Sequence, residues 1–134
     1  MSLLLLDVDH FKQVNDQYGH LIGDEVLRHV ARSVESLIRA EDLFARVGGE
    51  EFAVLVRGIP NDHAVHLAER IRVEIASSSL RTGGDTVNVT VSCGVASFPF
   101  EEERKTDPSE AIYSLADARL YRAKTEGRNR TVGR

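Results

Sequence analysis

Residues 43–56 read LFARVGGEEFAVLV and predict a β-hairpin, because two apolar runs flank a pair of glycines. The first run predicts a strand over residues 43–47 and the second a strand over residues 52–56. We expect Gly48 and Gly49 to form the turn, since glycine tolerates the positive φ angles that tight turns need. The rest of the fold is predicted from what lies on either side of this hairpin.

Amphipathic helices are predicted on both sides of the hairpin. Upstream, apolar residues recur at helical spacing over residues 24–38, which places them on one helix face. Downstream, the same spacing runs over residues 61–75, and Asn61 or Asp62 offers a side chain suited to an N-cap. Each helix therefore has an apolar face to pack against a sheet.

A further strand is predicted beyond each helix. Ser2–Val8 (SLLLLDV) is almost continuously apolar, as in a central strand covered on both faces, and residues 87–95 alternate between apolar and polar. The order βαββαβ is the ferredoxin-like arrangement, an α+β fold with helices on one face of an antiparallel sheet. Because this fold hosts many functions, the function must be argued from side chains.

Three more elements complete the prediction. A short helix is predicted in the polar stretch over residues 10–18, and Thr131–Val132 is expected to form a short edge strand. The sequence DPSE at residues 107–110 predicts another helix start, because an acidic N-cap precedes proline at the first helical position. That helix is expected to run to about Lys124 and to flank the sheet.

Composition limits the classes of function. With 134 residues, 42% hydrophobic and 28% charged, the chain fits one domain over residues 1–134. A net charge of -4 argues against a general nucleic-acid binder, but not against a nucleotide substrate. The longest apolar run, residues 3–6, is too short for a membrane span or signal, so we expect a cytoplasmic protein. The single cysteine, Cys93, lies in an alternating strand and is predicted to be buried and unreactive.

Acidic residues lie at two predicted strand ends that should be neighbours. Asp7 and Asp9 end the first strand, and Glu50 and Glu51 follow the hairpin glycines. Carboxylates brought together repel one another unless a cation neutralises them, and oxygen ligands without His or Cys favour Mg²⁺ or Mn²⁺ over zinc. The alternative is that acids simply occupy exposed strand ends and turns.

Basic residues complete this pattern. Lys12 follows the first acid pair, and Lys124 and Arg128 lie one turn apart at the end of the last predicted helix. Lys and Arg are common partners of phosphate groups, so the two could form a phosphate clamp. The alternative is a pair of cations near a helix C-terminus, where the helix dipole favours them.

These motifs resemble the signature blocks of a known family. Residues 48–52 (GGEEF) resemble the GGDEF signature in its GGEEF form, with Arg46 before it as in that family. Residues 7–24 resemble the family block DxDxFKxxND…GHxxGD, and residues 117–129 resemble its ADxxLYxAKxxGRN block. The resemblance to the GGDEF domain family covers almost the whole chain. It implies a nucleotidyl-cyclase or polymerase-palm-like fold and a diguanylate cyclase, which joins two GTP into cyclic di-GMP and releases pyrophosphate.

The resemblance also implies roles for single residues at the acid cluster. Asp7, Glu50 and the Val8 backbone carbonyl are implied as ligands of two Mg²⁺ (or Mn²⁺) ions per active site. Glu51 is implied as a further catalytic acid, and Lys12 as a cation with a part in both catalysis and triphosphate binding.

Substrate-binding roles are implied as well. Asn15 and Asp24 resemble residues that pair with the guanine edge, and an acid that accepts from guanine N1 and N2 would be left unpaired by adenine. The hairpin glycines would let a purine approach the backbone without a Cβ clash. The positions that hold the triphosphate are matched by three cations and by two backbone amides: Lys12, Lys124 and Arg128, with the amides of Phe11 and Lys12.

An RxxD motif precedes the signature. Arg39 and Asp42 match the family's product-inhibition site, where a dimer of cyclic di-GMP is bound, and Arg70 on the next helix matches a secondary contact to it. The alternative for a bare RxxD pattern is a surface ion pair.

One GTP per chain implies that turnover needs a homodimer, in which each 3′-hydroxyl attacks the other subunit's α-phosphate. Family domains usually begin with a helix and a DxLTGLxNR segment that are missing before Ser2, so we expect an N-terminally truncated domain or the cytoplasmic part of a longer, membrane-attached regulator. The alternative function is a non-catalytic module that binds GTP or cyclic di-GMP. A purely structural adaptor would bind neither nucleotide.

Overall fold

The computed structural model describes residues 1–99 and 107–134, and seven strands and four helices lie in these two ranges. The strands are β1 (Ser2–Val8), β2 (Leu43–Arg46), β3 (Glu51–Val56), β4 (Leu80–Thr82), β5 (Asp85–Val87), β6 (Val91–Ser97) and β7 (Thr131–Val132). The helices are α1 (Phe11–Tyr18), α2 (His20–Glu35), α3 (Asn61–Ser77) and α4 (Pro108–Thr125).

The main sheet has the strand order β2-β3-β1-β6-β7. Strand β1 lies at its centre and pairs antiparallel with both β3 and β6, and β2 pairs antiparallel with β3. This confirms the predicted ferredoxin-like α+β fold. The predicted edge strand β7 is also present, and it pairs parallel with β6.

The continuous apolar run of β1 is explained by two cores, one on each face of the sheet. Leu4, Leu6 and Val8 pack in a core with residues of α2 and α3. Leu3 and Leu5 point to the opposite face and pack under α4. Successive side chains of a strand alternate between faces, so a central strand covered on both sides has no polar face.

The predicted burial of Cys93 is confirmed. Its side chain is fully buried in the larger core, and burial raises the pKa of its thiol to about 12. The neutral thiol is therefore the stable form at ordinary pH, and it is unreactive because the thiolate is the nucleophile.

The hairpin between β2 and β3 is confirmed, but the predicted conformation of its glycines is wrong. Neither Gly48 nor Gly49 has a positive φ. The loop is closed instead by backbone N–H groups of Val47 and Gly48, which donate to the Glu51 carbonyl at 2.9 and 3.3 Å. The Arg46 side chain also braces it, with Nε 3.1 Å from the carbonyl oxygens of both glycines. A Cβ on Gly49 would meet no heavy atom within 4 Å, so glycine leaves open space there.

The single strand predicted over residues 87–95 is only partly correct. Val87 ends β5, which pairs with β4 in a hairpin that the sequence analysis did not predict, and β6 begins at Val91. The apolar alternation continues across the break because Val87, Val89 and Val91 are all buried in the same core. Alternation therefore reports burial here, and not strand hydrogen bonding.

Helix starts also differ from the prediction in places. Helix α2 begins about one turn earlier than predicted, at His20. The side-chain cap predicted for α3 is wrong: Asn61 lies inside the helix, and its Nδ2 donates to the Gly133 carbonyl at 3.1 Å. The cap of α4 is confirmed, since the Asp107 carboxylate accepts the Ser109 N–H at 2.8 Å.

Within residues 1–99 and 107–134, no helix combines the length and the apolar character that a membrane span requires.

Helix α4 crosses the sheet very closely. A Cβ added to Gly94 on β6 would lie 2.2 Å from the Ala116 carbonyl oxygen and 2.3 Å from the Leu120 nitrogen, both backbone atoms of α4. Glycine is required for this approach. The close crossing brings the C-terminal end of α4 to the end of β1, where the acidic residues lie.

Candidate active site

Asp7 meets the acids of the hairpin at the end of the central strands. Asp7 on β1 is the register partner of Glu51 on β3, and the Val8 N–H donates to the Glu50 carbonyl at 3.1 Å. Antiparallel pairing thus places Asp7 beside the acids of the hairpin, as expected from the sequence, whereas Asp9 lies elsewhere. Asp7 and Glu51 point to the face covered by α4, because they follow Leu5 and precede Ala53 in the alternation.

A lysine from α4 completes this cluster. Lys124 Nζ lies 2.8 Å from Asp7 Oδ2, and the Asp7 side chain is only 13% exposed. A partly buried carboxylate needs such a partner, because the charged form loses hydration. The structure therefore joins Lys124 to the acids, whereas the alternative of a cation that merely caps the helix would leave it in solvent.

The Glu51 carboxyl lies in a partly buried and negatively charged environment. Its pKa is raised above the ordinary value by burial first, and then by the negative charges of Asp7 and Asp117, while Lys124 acts in the opposite direction. The Oε1 atom of Glu51 is buried and has no hydrogen-bond partner among the described residues. An unsatisfied carboxylate oxygen in a negative environment is suited to a positively charged ligand.

Two residues of α4 that the sequence analysis did not select face the same region. Asp117 raises the pKa of Glu51, and Glu51 in turn raises the pKa of the Tyr113 hydroxyl. Tyr113 and Asp117 are one helical turn apart, so they share a face of α4. Their spacing in the sequence was visible, but nothing in it indicated that this face looks towards Glu51.

The acid cluster fits a hard divalent cation. Considering only residues 1–99 and 107–134, no three His, Cys, Asp or Glu side chains are already gathered as a metal cluster. The donor set nevertheless consists of carboxylates on paired strands, with an unpartnered buried oxygen on Glu51 and a lysine as the present counter-charge. Oxygen donors of this kind suit Mg²⁺ or Mn²⁺.

Asp9 does not join this cluster. Its carboxylate is buried and accepts three hydrogen bonds, from the Thr90 and Ser92 hydroxyls at 2.7 Å each and from the Asn129 N–H at 3.0 Å. A carboxylate with three protein donors has little capacity left for a cation. Asp9 instead ties the segment after α4 to the sheet.

That segment carries Arg128, one of the predicted phosphate-binding cations. Arg128 and Asn129 both have positive φ, at 62° and 44°. The strained backbone is held at Asn129, whose N–H reaches Asp9 and whose Oδ1 accepts from Arg72 Nη1 of α3 at 2.9 Å. Arg128 itself is an exposed residue. Arg128 was predicted from the sequence as a phosphate-binding cation, and Asp9 as a member of the acid pair, but the contacts of Asp9 and Arg72 that hold the adjacent residue Asn129 were not predicted.

Helices α1 and α2 hold the remaining substrate-binding candidates. Asn15 lies on α1 and is half-buried, and Asp24 lies on α2 and is exposed. The Oδ1 atom of Asn15 is buried without a partner in the described part of the chain. Gly23, which precedes Asp24, lies so close that a Cβ there would be 1.9 Å from that oxygen.

The N-terminus of α1 is open. His10 precedes it in the left-handed conformation with φ of 56°, and no side chain caps the helix. The backbone amides of Phe11 and Lys12 are thus at an uncapped helix start, which attracts anions. Lys12 is exposed there, while Phe11 packs against the larger core.

The RxxD motif is closed by an ion pair. Arg39 Nη2 lies 3.2 Å from Asp42 Oδ1 and 2.8 Å from the Arg57 carbonyl oxygen, and the Arg39 N–H donates to Asp42 Oδ2 at 2.8 Å. The Asp42 side chain is buried, while that of Arg39 is 48% exposed. Among the residues that the structure describes, no hydrogen bond or ion pair joins exposed Arg70 on α3 to this pair.

Comparison with known proteins gives a family and several relatives. The family model described as "Diguanylate cyclase, GGDEF domain" matches residues 1–130. Diguanylate cyclase A of Treponema denticola is 42% identical over 132 residues, which cover 98% of this chain and 34% of that protein. The chain spans about a third of the length of the curated relatives it matches.

Solved structures of GGDEF domains share the fold. The GGDEF domain of DgcB from Caulobacter crescentus, solved in complex with c-di-GMP, matches with a TM-score of 0.87 and 36% identity, covering 98% of this chain and 75% of that one. The active GGEEF domain of a diguanylate cyclase from Vibrio cholerae matches with a TM-score of 0.87 and 36% identity, covering 99% of this chain and 82% of that one.

Proposed function

The chain belongs to the GGDEF domain family, and on this premise we propose that it is a diguanylate cyclase domain, which converts two GTP into cyclic di-GMP and two pyrophosphates. The observation that carries the proposal is the pairing of Asp7 with Glu51 beside an intact GGEEF turn. The acids, the nearby Lys124 and the open start of α1 supply the charges that a nucleoside triphosphate and its cations need.

The acids are proposed to hold the cations of the reaction. Asp7, Glu50 and the Val8 carbonyl would bind two Mg²⁺ or Mn²⁺ ions, which when bound supply Lewis-acid activation of the 3′-hydroxyl and neutralise the leaving pyrophosphate. Glu51, with its raised pKa and unpartnered Oε1, is the further acid of this site. Lys124 neutralises Asp7 and provides positive charge for the triphosphate.

Helices α1 and α2 are proposed to bind the rest of GTP. The Asn15 amide and the Asp24 carboxylate would read the guanine edge, which favours GTP over ATP because adenine offers Asp24 no matching donors. Phosphate oxygens would accept from the Phe11 and Lys12 amides, with Lys12 and Arg128 as counter-charges. The unpartnered Oδ1 of Asn15 supports this assignment, since an amide oxygen without a donor can accept one from a base.

Two chains are proposed to act together. Each chain would hold one GTP, and each 3′-hydroxyl would attack the α-phosphate held by the other chain, breaking its bond to pyrophosphate. A two-fold homodimer brings the two nucleotides together with their reacting ends facing each other.

Product inhibition is proposed at the RxxD motif. Arg39 is fixed by the buried carboxylate of Asp42 yet keeps half of its side chain exposed, which leaves donors for a phosphate or guanine of cyclic di-GMP. Arg70 on the neighbouring helix is exposed and would add a second cation. Arg39→Ala is expected to relieve inhibition by added cyclic di-GMP without lowering the initial rate, and unchanged inhibition would reject this site.

The activity is tested by incubating concentrated protein with GTP and Mg²⁺ and identifying the products by mass. We expect cyclic di-GMP from the wild type and from Glu35→Ala, a control at an exposed glutamate of α2, but none from Glu50→Ala. If the wild type binds GTP and forms no product, the non-catalytic binding module is the better description. If it binds neither GTP nor cyclic di-GMP, the proposed function is wrong.

A further inference from the structure

Gly23 occupies a position where glycine is unfavourable by itself. It lies in helix α2, is buried, and donates its N–H to the Gly19 carbonyl at 3.0 Å, as a helical residue does. Its φ is not in the left-handed region, so its backbone conformation suits any residue. Alanine is favoured over glycine inside a helix, and a helical glycine therefore requires a reason in its surroundings.

The surroundings give that reason. A Cβ at residue 23 would lie 1.9 Å from Asn15 Oδ1, 3.0 Å from Asn15 Cγ and 3.3 Å from Phe11 Cζ. A 180° flip of the amide about its Cβ–Cγ bond would not help, because it places the nitrogen where the oxygen was. With any side chain at residue 23, the Asn15 amide has to move from its present place.

The Asn15 amide has no other restraint on its oxygen. Asn15 Oδ1 is buried and has no hydrogen-bond partner in the described residues. Its place is therefore set by packing against the Gly23 backbone and not by a hydrogen bond. Since Asp24 follows Gly23 directly, the same turn of α2 positions both side chains assigned to the base.

We propose that Gly23 is a specificity-determining positioning residue, whose lack of a side chain holds the Asn15 amide where it meets the guanine base. This inference rests on the proposed function, because it takes the Asn15 amide as a reader of guanine. Gly23 acts through Asn15 and makes no hydrogen bond to the base itself.

The proposal separates stability from recognition. The atom that blocks a Cβ is the far end of a flexible side chain, and alanine improves helix propensity, so Gly23→Ala is expected to keep or raise the unfolding temperature. The affinity for a guanine nucleotide is expected to fall at the same time, because the Asn15 amide is displaced. A residue that only served the fold would lower both together or neither.

The test is a double-mutant cycle of wild type, Gly23→Ala, Asn15→Ala and the double variant. Binding of the α,β-methylene analogues of GTP and ATP, which cannot be turned over, is measured by calorimetry together with thermal unfolding. We expect Gly23→Ala to weaken binding of the guanosine analogue about tenfold, which is the loss expected for one hydrogen bond. The affinity for the adenosine analogue should stay unchanged. In the Asn15→Ala background, Gly23→Ala should have no further effect.

The outcomes distinguish a failure of the role of Gly23 from a failure of the proposed function. If the wild type prefers the guanosine analogue and Gly23→Ala retains that preference, the inference about Gly23 is wrong while the proposed function stands. Additive effects of the two substitutions would also reject it. If the wild type shows no preference between the analogues, the assignment of Asn15 to guanine fails, and the inference fails with it.

Discussion

The amine of Lys124, near the end of α4, lies 2.8 Å from a carboxylate oxygen of Asp7, near the end of β1, although the two residues are 117 positions apart. This contact joins the C-terminal helix to the acid cluster of the central strands. It also means that the charge of Asp7 is balanced by the protein itself, so that binding of a cation or a phosphate must change this ion pair.

Lys124→Met is expected to weaken binding of the α,β-methylene analogue of GTP by about ten- to a hundredfold, the loss of a hydrogen bond to a charged group. Calorimetry measures the affinity in the presence of Mg²⁺. Arg81→Met, at an exposed cation of β4, is the matched control and should bind like the wild type. Equal affinities of the Lys124 variant and the control would contradict a role of Lys124 at the nucleotide.

Asp9→Ala is expected to destabilise the fold by about 2–4 kcal/mol, because it leaves the buried hydroxyl of Ser92 and the donors of part-buried hydrogen bonds at Thr90 and Asn129 without an acceptor. Urea unfolding measures this loss. Asp9→Asn, which keeps one acceptor oxygen of the same shape, should recover part of it. If Asp9→Ala instead unfolds like the wild type and only raises the Mg²⁺ requirement, Asp9 is a cation ligand and not an anchor.

Gly94→Ala is expected to lower the free energy of unfolding by at least about 2 kcal/mol, since its Cβ would overlap the backbone of α4 and neither element can yield easily. Gly49→Ala is the control, because a Cβ there meets no atom within 4 Å and should change stability by less than about 0.5 kcal/mol. Thermal and urea unfolding of both variants compare the two positions. Similar free energies of unfolding for the two variants would show that the crossing of α4 over β6 does not need glycine at residue 94.

His29 predicts a dependence of stability on pH. Its Nε2 lies 3.0 Å from Ser78 Oγ, and its pKa is lowered from 6.5 by burial first and by the charge of Arg32 next, with Glu74 acting in the opposite direction. The unfolded chain therefore binds the proton more readily than the folded one. The contribution of neutral His29 to the free energy of unfolding is fully present above pH 6.5 and is lost as the pH falls through the lowered pKa of the folded state.

Urea unfolding at pH 7.5 and pH 5.5 tests this sign. The wild type should lose more stability on acidification than His29→Gln, which keeps polar groups at that place but does not titrate. The other histidines are common to both proteins, so the difference belongs to residue 29. A larger loss of stability in the variant would contradict the lowered pKa of His29 in the folded state.

Much of the fold follows from the sequence because its signals are local. The apolar strand Ser2–Val8 and the hairpin around Gly48 are predicted from neighbouring residues, and the register between β1 and β3 then places Asp7 beside Glu51. The break at Asn88–Thr90 was missed because buried valines keep their alternation without strand hydrogen bonds. Burial determines that pattern, and it does not report which backbone groups pair.

The supporting residues of the candidate site could not be predicted because their contacts are tertiary. The donors to Asp9 lie 81 to 120 residues away, and an aspartate at a strand end looks the same in sequence whether it binds a cation or anchors a loop. Gly23 likewise meets Asn15 only because Gly19, with φ of 90°, folds α2 back on α1. The spacing of residues in the sequence predicts the candidate functional side chains, while tertiary contacts determine which other residues fix their positions.

The central claim is that two chains, each holding one GTP, together make cyclic di-GMP. The most direct test is the initial rate of cyclic di-GMP formation as a function of protein concentration at saturating GTP and Mg²⁺. Where the chain is mostly monomeric, the account predicts a rate that rises with the square of protein concentration and a product that disappears in Glu50→Ala. A rate strictly proportional to protein concentration from the lowest to the highest values, or the absence of product throughout, would contradict it.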